Sequence, residues 1–248
     1  MCELEQPSCN YPLRLVLTLL VLSASFALVP PAAQAQLGGK PYQQLSAREA
    51  ESLLSNSPWA QTQAGLVSIG IRDPLTEPVD TTVTVRLRSA LPLRQALVRL
   101  NQLKEKYDQK NVNERAIIDA RNRELLECPD CDGYYIVSIT PGAGSRTELP
   151  SFLSSSRTAF EVVKQNVVLE NENHETRELA KFIGPKFSAG EAIFFFPRLD
   201  SRGNPLIGPT TRTVIISFDP RVFDWKKATV TKFKFNVAGM IIDGKVAF

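Results

Sequence analysis

The feature that most constrains this chain is a change in the spacing of its apolar residues. Val83, Val85 and Leu87 recur at every second position, the period of a strand with one buried face. Leu93, Leu97, Leu100, Leu103 and Tyr107 then recur at intervals of three and four, one stripe of a helix. Beyond Tyr134 the chain returns to short strand-like runs cut by proline and glycine. Short strands at this spacing, broken by proline and glycine, favour a sandwich or a partly open barrel, with the helical region inserted between the second and third strands. The pattern predicts an α+β fold: an antiparallel β-sandwich or partly open barrel, with a helical hairpin inserted over about residues 91–127.

Local signals place the pieces. Ser46 and Glu49 form a capping box ahead of Ala50, Leu53 and Leu54, and Ser57-Pro58 stops that first helix. Val67, Ile69 and Ile71 alternate and are expected to pair with residues 83–87 across a loop holding Asp73-Pro74 and Glu77-Pro78. Ser89 is the expected cap of the helix carrying the leucine stripe, whose charged face (Arg94, Arg99, Lys104, Glu105, Lys106) reads as solvated. Asn113 is the expected cap of a second helix over 114–127, with Ile117, Ile118, Leu125 and Leu126 inward. Strands are expected at 134–140, at 160–169 with a slip near Val162-Val163, and at 231–237. The continuous run Ile193–Phe196 predicts a central strand covered on both faces, with 213–218 as its partner after a long turn over 198–209. Asp243-Gly244 predicts a tight hairpin.

The N-terminus carries an address. Arg14 precedes an apolar run over 15–29, then Pro30-Pro31 and Ala33-Gln34-Ala35, the parts of a cleavable secretory signal. The run is short of the roughly 20 residues that span a bilayer. Residues 1–35 are therefore expected to be removed, leaving 36–248 as one mature domain of a bacterial protein exported to the periplasm or beyond, with no stable membrane span. Lys plus Arg number 29 and Asp plus Glu 26; loss of Arg14, Glu3 and Glu5 moves the formal balance from +3 to +4. Spread over the mature chain, that is a solubility property and no nucleic-acid footprint.

Chemistry has few places to reside. Cys2 and Cys9 leave with the signal, so Cys128-Pro-Asp-Cys131 holds the remaining cysteines. In an oxidising compartment such a pair is expected to be a structural disulfide at the corner between helix and strand. The alternative is a thiol-disulfide or metal-dependent protein centred on the same pair. Against redox work, the motif follows a helix and precedes a strand, and Glu127, Asp130 and Asp132 disfavour a thiolate. Against a metal, two cysteines supply half of a usual zinc set, and His174 is the single histidine. There is no Gly-x-Ser-x-Gly elbow and no phosphate-binding glycine loop before a helix. No catalytic residue, metal site or cofactor is expected.

Three phrases carry a resemblance: Ser57-Pro-Trp-Ala60, Ser89-Ala-Leu-Pro-Leu-Arg-Gln-Ala96, and Phe195-Phe-Pro-Arg-Leu-Asp200 followed by Gly203-Asn-Pro-Leu206. With them the chain resembles a group of uncharacterised exported bacterial proteins. The resemblance implies export and a shared fold and transfers no functional residue. A non-enzymatic binding or assembly module is the reading that remains, with a protein or glycan as partner. The candidate binding surface is the 198–209 loop, through Arg198 and Asp200, with Trp59 or Trp225 beside it.

Overall fold

A computed structural model of the chain describes residues 40–67, 79–141, 156–185, 190–219, 232–242 and 245–247, all within a unit spanning Ala35–Phe248. The secretory-signal region, the Asp73–Pro78 connection, Trp225 and the Asp243-Gly244 turn lie outside the described residues.

Helix α1 (Ala47–Ser55) begins at the expected capping box: Glu49 N donates to Ser46 Oγ at 3.3 Å, and Ser46 N donates to Glu49 Oε2 at 2.7 Å. Strands β1 (Ala60–Val67) and β2 (Val79–Leu87) then pair antiparallel, from Ala60 opposite Arg86 to Val67 opposite Val79. Residues 83–86 therefore face 60–63 and not the expected Val67, while Ile69 and Ile71 lie outside the described residues. Helices α2 (Leu91–Lys104) and α3 (Val112–Glu127) follow as the inserted hairpin, ahead of β3 (Tyr134–Pro141). The second half holds helix α4 (Ser156–Asn166) and strands β4 (Val167–Asn171), β5 (Thr176–Arg177), β6 (Lys181–Ile183), β7 (Ala192–Pro197), β8 (Thr213–Phe218) and β9 (Lys232–Asn236). A short ribbon, β10 (Ile241–Ile242) with β11 (Lys245–Val246), has the register of a two-residue hairpin.

Among the described residues all the pairings are antiparallel and, apart from the β10-β11 ribbon, form two open sheets, of order β1-β2-β3-β7-β6 and β5-β4-β8-β9. Their inner faces share one core. Val85, Leu87, Val137, Ile139, Phe194 and Phe196 from the first meet Leu169, Val214, Ile216, Phe218, Phe233 and Phe235 from the second. Phe194 and Phe218 join the sheets with ring centroids 5.7 Å apart, an edge-to-face geometry that adds to the area buried. This is the expected α+β sandwich.

Several expectations need correction. Residues 160–169 are not one strand: α4 runs through Asn166 and β4 begins at Val167. The slip at Val162-Val163 was the helical period, with Val163 buried and Val162 exposed. Strand β8 does not pair with β7 but lies between β4 and β9, so the 198–209 loop carries the chain between sheets. Helix α3 is capped by Asn111, not Asn113, in a second reciprocal box with Glu114. Ser89 does not cap α2; its Oγ accepts from Ile136 N at 3.2 Å and ties the helix start to β3. Ile117 is 62% exposed, because α3 rests on α2 along a line that buries only Ile118 and Asn122.

The charged face of α2 is the largest departure. Arg94 and Arg99 are only 8% and 6% exposed. Arg99 donates through Nε to Leu45 O at 2.8 Å and forks onto Asp108 at 3.0 and 2.9 Å. Arg94 Nη1 donates to Leu126 O in the last turn of α3, where helical carbonyls lack partners of their own. These cations are covered because they serve backbone acceptors of neighbouring elements.

Candidate functional site

Strand β3 has two buried faces. Tyr135, Val137 and Ile139 enter the main core, while Ile136 points the other way into a small separate cluster with Cys131 and Phe195. Helix α3 ends above this outer face. Cys128 is its C-cap in the left-handed region at φ 46°, a place that glycine usually takes. Pro129–Asp132 then forms a 3-10 turn. The Cys128 and Cys131 sulfurs lie at disulfide distance, with Cα atoms 5.4 Å apart. Cys131 is 5% exposed.

Arginines surround this corner. Arg198 Nε donates to Cys131 O at 2.6 Å, and its guanidinium lies 5.0 Å from the Tyr135 ring centroid. Burial pushes the Arg198 guanidinium down from its usual pKa, opposed by Tyr135 and Asp132. Burial also lowers that of Arg94, helped by the charge of Arg198 and opposed by Asp132. Both stay protonated, as guanidinium does in proteins. Farther along the sheet, Arg88 pairs with Glu191 at 2.6 Å. Lys181 lies 4.4 Å from the Phe195 ring centroid and 3.2 Å from Asp130.

Between the end of α3 and the outer face of β3 and β7 is a cleft of about 180 Å³. Its walls combine the disulfide corner, Ile136, Ile193 and Phe195 with Arg88 and Arg94. An apolar surface beside fixed polar donors is the usual make-up of a small-ligand site, though this one is below the common range of about 300–1,000 Å³. Arg94 Nε is buried without a hydrogen-bond partner. Such a desolvated donor on a charged group costs about 1–3 kcal/mol or more until an acceptor reaches it.

The residues expected at a binding surface have other work. Trp59 is 1% exposed and donates through Nε1 to Ala247 O at 2.9 Å, so it cannot stack on a ligand. Asp200 Oδ1 accepts from Arg202 N and Asn204 N, both at 2.8 Å, and so shapes its own turn. Gly203 fits that turn at φ 83°. Arg198 is half-buried and turned toward the disulfide corner. The sequence singled out Cys128 and Cys131 as a disulfide and Arg198 as part of a loop surface, and did not mark Arg88, Arg94 and Phe195 as neighbours of one cleft. An arginine on the charged side of a helix carries no mark of burial, since it is α3 that covers Arg94.

Among the described residues, no convergent nucleophile, base and acid set accompanies the cleft. His174 is an exposed loop residue at φ 63°. Among the described residues no group of three or more His, Cys, Asp or Glu could hold a metal ion. None of the described helices is long and apolar enough to cross a membrane. Comparison with protein-family models, curated proteins and solved structures finds no match to this chain.

Proposed function

We propose that this chain is an exported bacterial binding module, without catalytic activity of its own, that recognises an extracytoplasmic protein or glycan through the cleft behind the disulfide corner. The carrying observation is the cleft itself, where an apolar floor meets a buried arginine with an unpaired donor. The secretory pattern through Ala33-Gln34-Ala35 supports export, and in that setting the Cys128–Cys131 pair is a permanent staple. The staple holds Cys128 at the end of α3, and through it one wall of the cleft. A redox role fits less well, because Cys131 is buried and the pair sits at the negative end of α3.

Nuclear magnetic resonance of the oxidised mature chain against a mixed fragment panel tests this reading. Shift changes concentrated at the amides of Cys128, Ile136 and Phe195 are expected. A panel that leaves those amides unmoved overturns the site. Turnover of any substrate that one point substitution abolishes overturns the non-catalytic assignment.

A further inference from the structure

We infer that the cleft takes a carboxylate-bearing ligand with a small apolar body, the carboxylate seated on the Nε–Nη2 edge of Arg94. This inference rests on the cleft being a binding site and adds the chemistry of what fills it.

Arg94 presents a definite geometry. Its Nη1 is committed to Leu126 O, which leaves the Nε–Nη2 edge of the guanidinium. Nε on that edge is shut from solvent and unpaired. Two parallel N–H groups on one edge match the two oxygens of a carboxylate, and such forked contacts are among the stronger hydrogen bonds in proteins. A ligand carbonyl or hydroxyl would satisfy one donor; a carboxylate satisfies both and also compensates the buried charge.

The surroundings agree in size and polarity. A cleft of about 180 Å³, below the common range of about 300–1,000 Å³ for small-molecule sites, suits a short aliphatic or single-ring body. Ile136, Ile193 and Phe195 supply the apolar contact. The acids nearby do not compete for Arg94. Glu191 is held by Arg88 at 2.6 Å, and Asp130 is held by Lys181 at 3.2 Å. Glu124 lines the cleft as well, is exposed to water and salt that screen it, and makes no hydrogen bond to Arg94. Asp132 favours the charged state of Arg94 and makes no hydrogen bond to it. The chemistry has two natural sources: a free small monocarboxylate, or the C-terminal residue of a peptide.

The test uses the oxidised mature chain and matched pairs. Butyrate and benzoate are titrated against butyramide and benzamide, and a tripeptide ending in valine with a free C-terminus against its C-terminal amide. Chemical shifts of the Cys128, Ile136 and Phe195 amides are followed. Each acid is expected to bind roughly ten- to a hundredfold more tightly than its amide, the factor of a charge-assisted hydrogen bond. Free acids binding as tightly as the tripeptide acid point to a small metabolite; a clear advantage for the tripeptide points to a protein C-terminus. Arg94→Lys is expected to erase the acid-over-amide preference by at least tenfold. If that variant does not fold, the matched pairs on the unaltered chain still decide. Acids and amides that bind equally at these amides overturn the carboxylate inference and leave the binding site standing. Neutral sugars or amides that bind where acids do not have the same effect. A cleft that responds to no probe overturns both.

Discussion

The two faces of the sheet β1-β2-β3-β7-β6 differ in almost every respect. The inner face is a continuous apolar surface, in which Phe194 and Phe196 are fully buried against the second sheet. The outer face is a run of polar cross-strand contacts: Thr62 to Thr84 at 2.8 Å, Arg86 to Thr140 at 2.8 Å and Arg88 to Glu191 at 2.6 Å. It ends in the small cluster of Cys131, Ile136 and Phe195. One face is specified by area removed from water, which is non-directional and redundant. The other depends on directed contacts, each satisfying particular groups. The inner face holds the fold, and the outer face leaves room beside it for a ligand.

Substitutions can sharpen that contrast. The largest effect is expected for Phe194→Ala on the inner face, a loss of about 3–5 kcal/mol, read as a fall in the urea midpoint with unchanged slope. Phe195→Ala, one residue along and on the outer face, is expected to cost less, because the cleft already adjoins its ring. Equal losses would break the distinction between faces. Arg99→Ala is expected next, at about 2–3 kcal/mol, since it strands the Leu45 carbonyl and removes a buried cation's charge-assisted bonds, while the exposed Asp108 returns to water. Its thermal midpoint should fall further than that of Arg121→Ala, whose pair with Glu105 is exposed.

Smaller still is the paired change Cys128→Ala with Cys131→Ala. A four-residue loop contributes only about 2 kcal/mol to chain entropy, so the sandwich should survive. Binding at the cleft should weaken more than stability does, because the staple fixes one wall. A global unfolding on loss of this pair would show that the corner holds the fold as well.

The smallest effect lies at the start of α1. Bonds from Lys40 and from Ser46 hold the Glu49 carboxyl down at about 2. A folded pKa below the unfolded value of about 4.3 means that the contribution is complete above the unfolded pKa and fades as pH falls toward 2. Ser46→Ala is expected to lift the Glu49 midpoint toward its ordinary value by side-chain titration. The lost cap should cost about 1 kcal/mol at neutral pH and less at pH 2.

The legible parts of the sequence were those in which a local pattern meets a local need. The Ser46–Glu49 box, the alternation over β8 and β9, and the unbroken run Ile193–Phe196 each appear in the structure as read. The run was legible because Phe194 and Phe196 serve the main core and Phe195 the outer cluster. The segment over 160–169 was misread because Phe160, Val163 and Val167 satisfy a helical period, while the β-branched residues among them favour a strand. Trp59, named for a binding surface, is instead packed in the core beside the stop of α1, with its indole bonded to a carbonyl 188 residues away, at Ala247.

By itself the sequence determined the class of fold, the place of the helical hairpin and the corner where the cysteines meet. Periodicity, caps and turns are short-range properties and act within a few residues. Only the tertiary structure decided that β8 leaves the sheet of β7, that Arg94 and Arg99 are buried, and that Arg94 faces the disulfide corner across one cleft. Those outcomes depend on which element covers which, and the burial of a charge is set by the acceptors other segments bring to it. The candidate site is built from such long-range meetings. The fold could therefore be read from spacing, and the site could not.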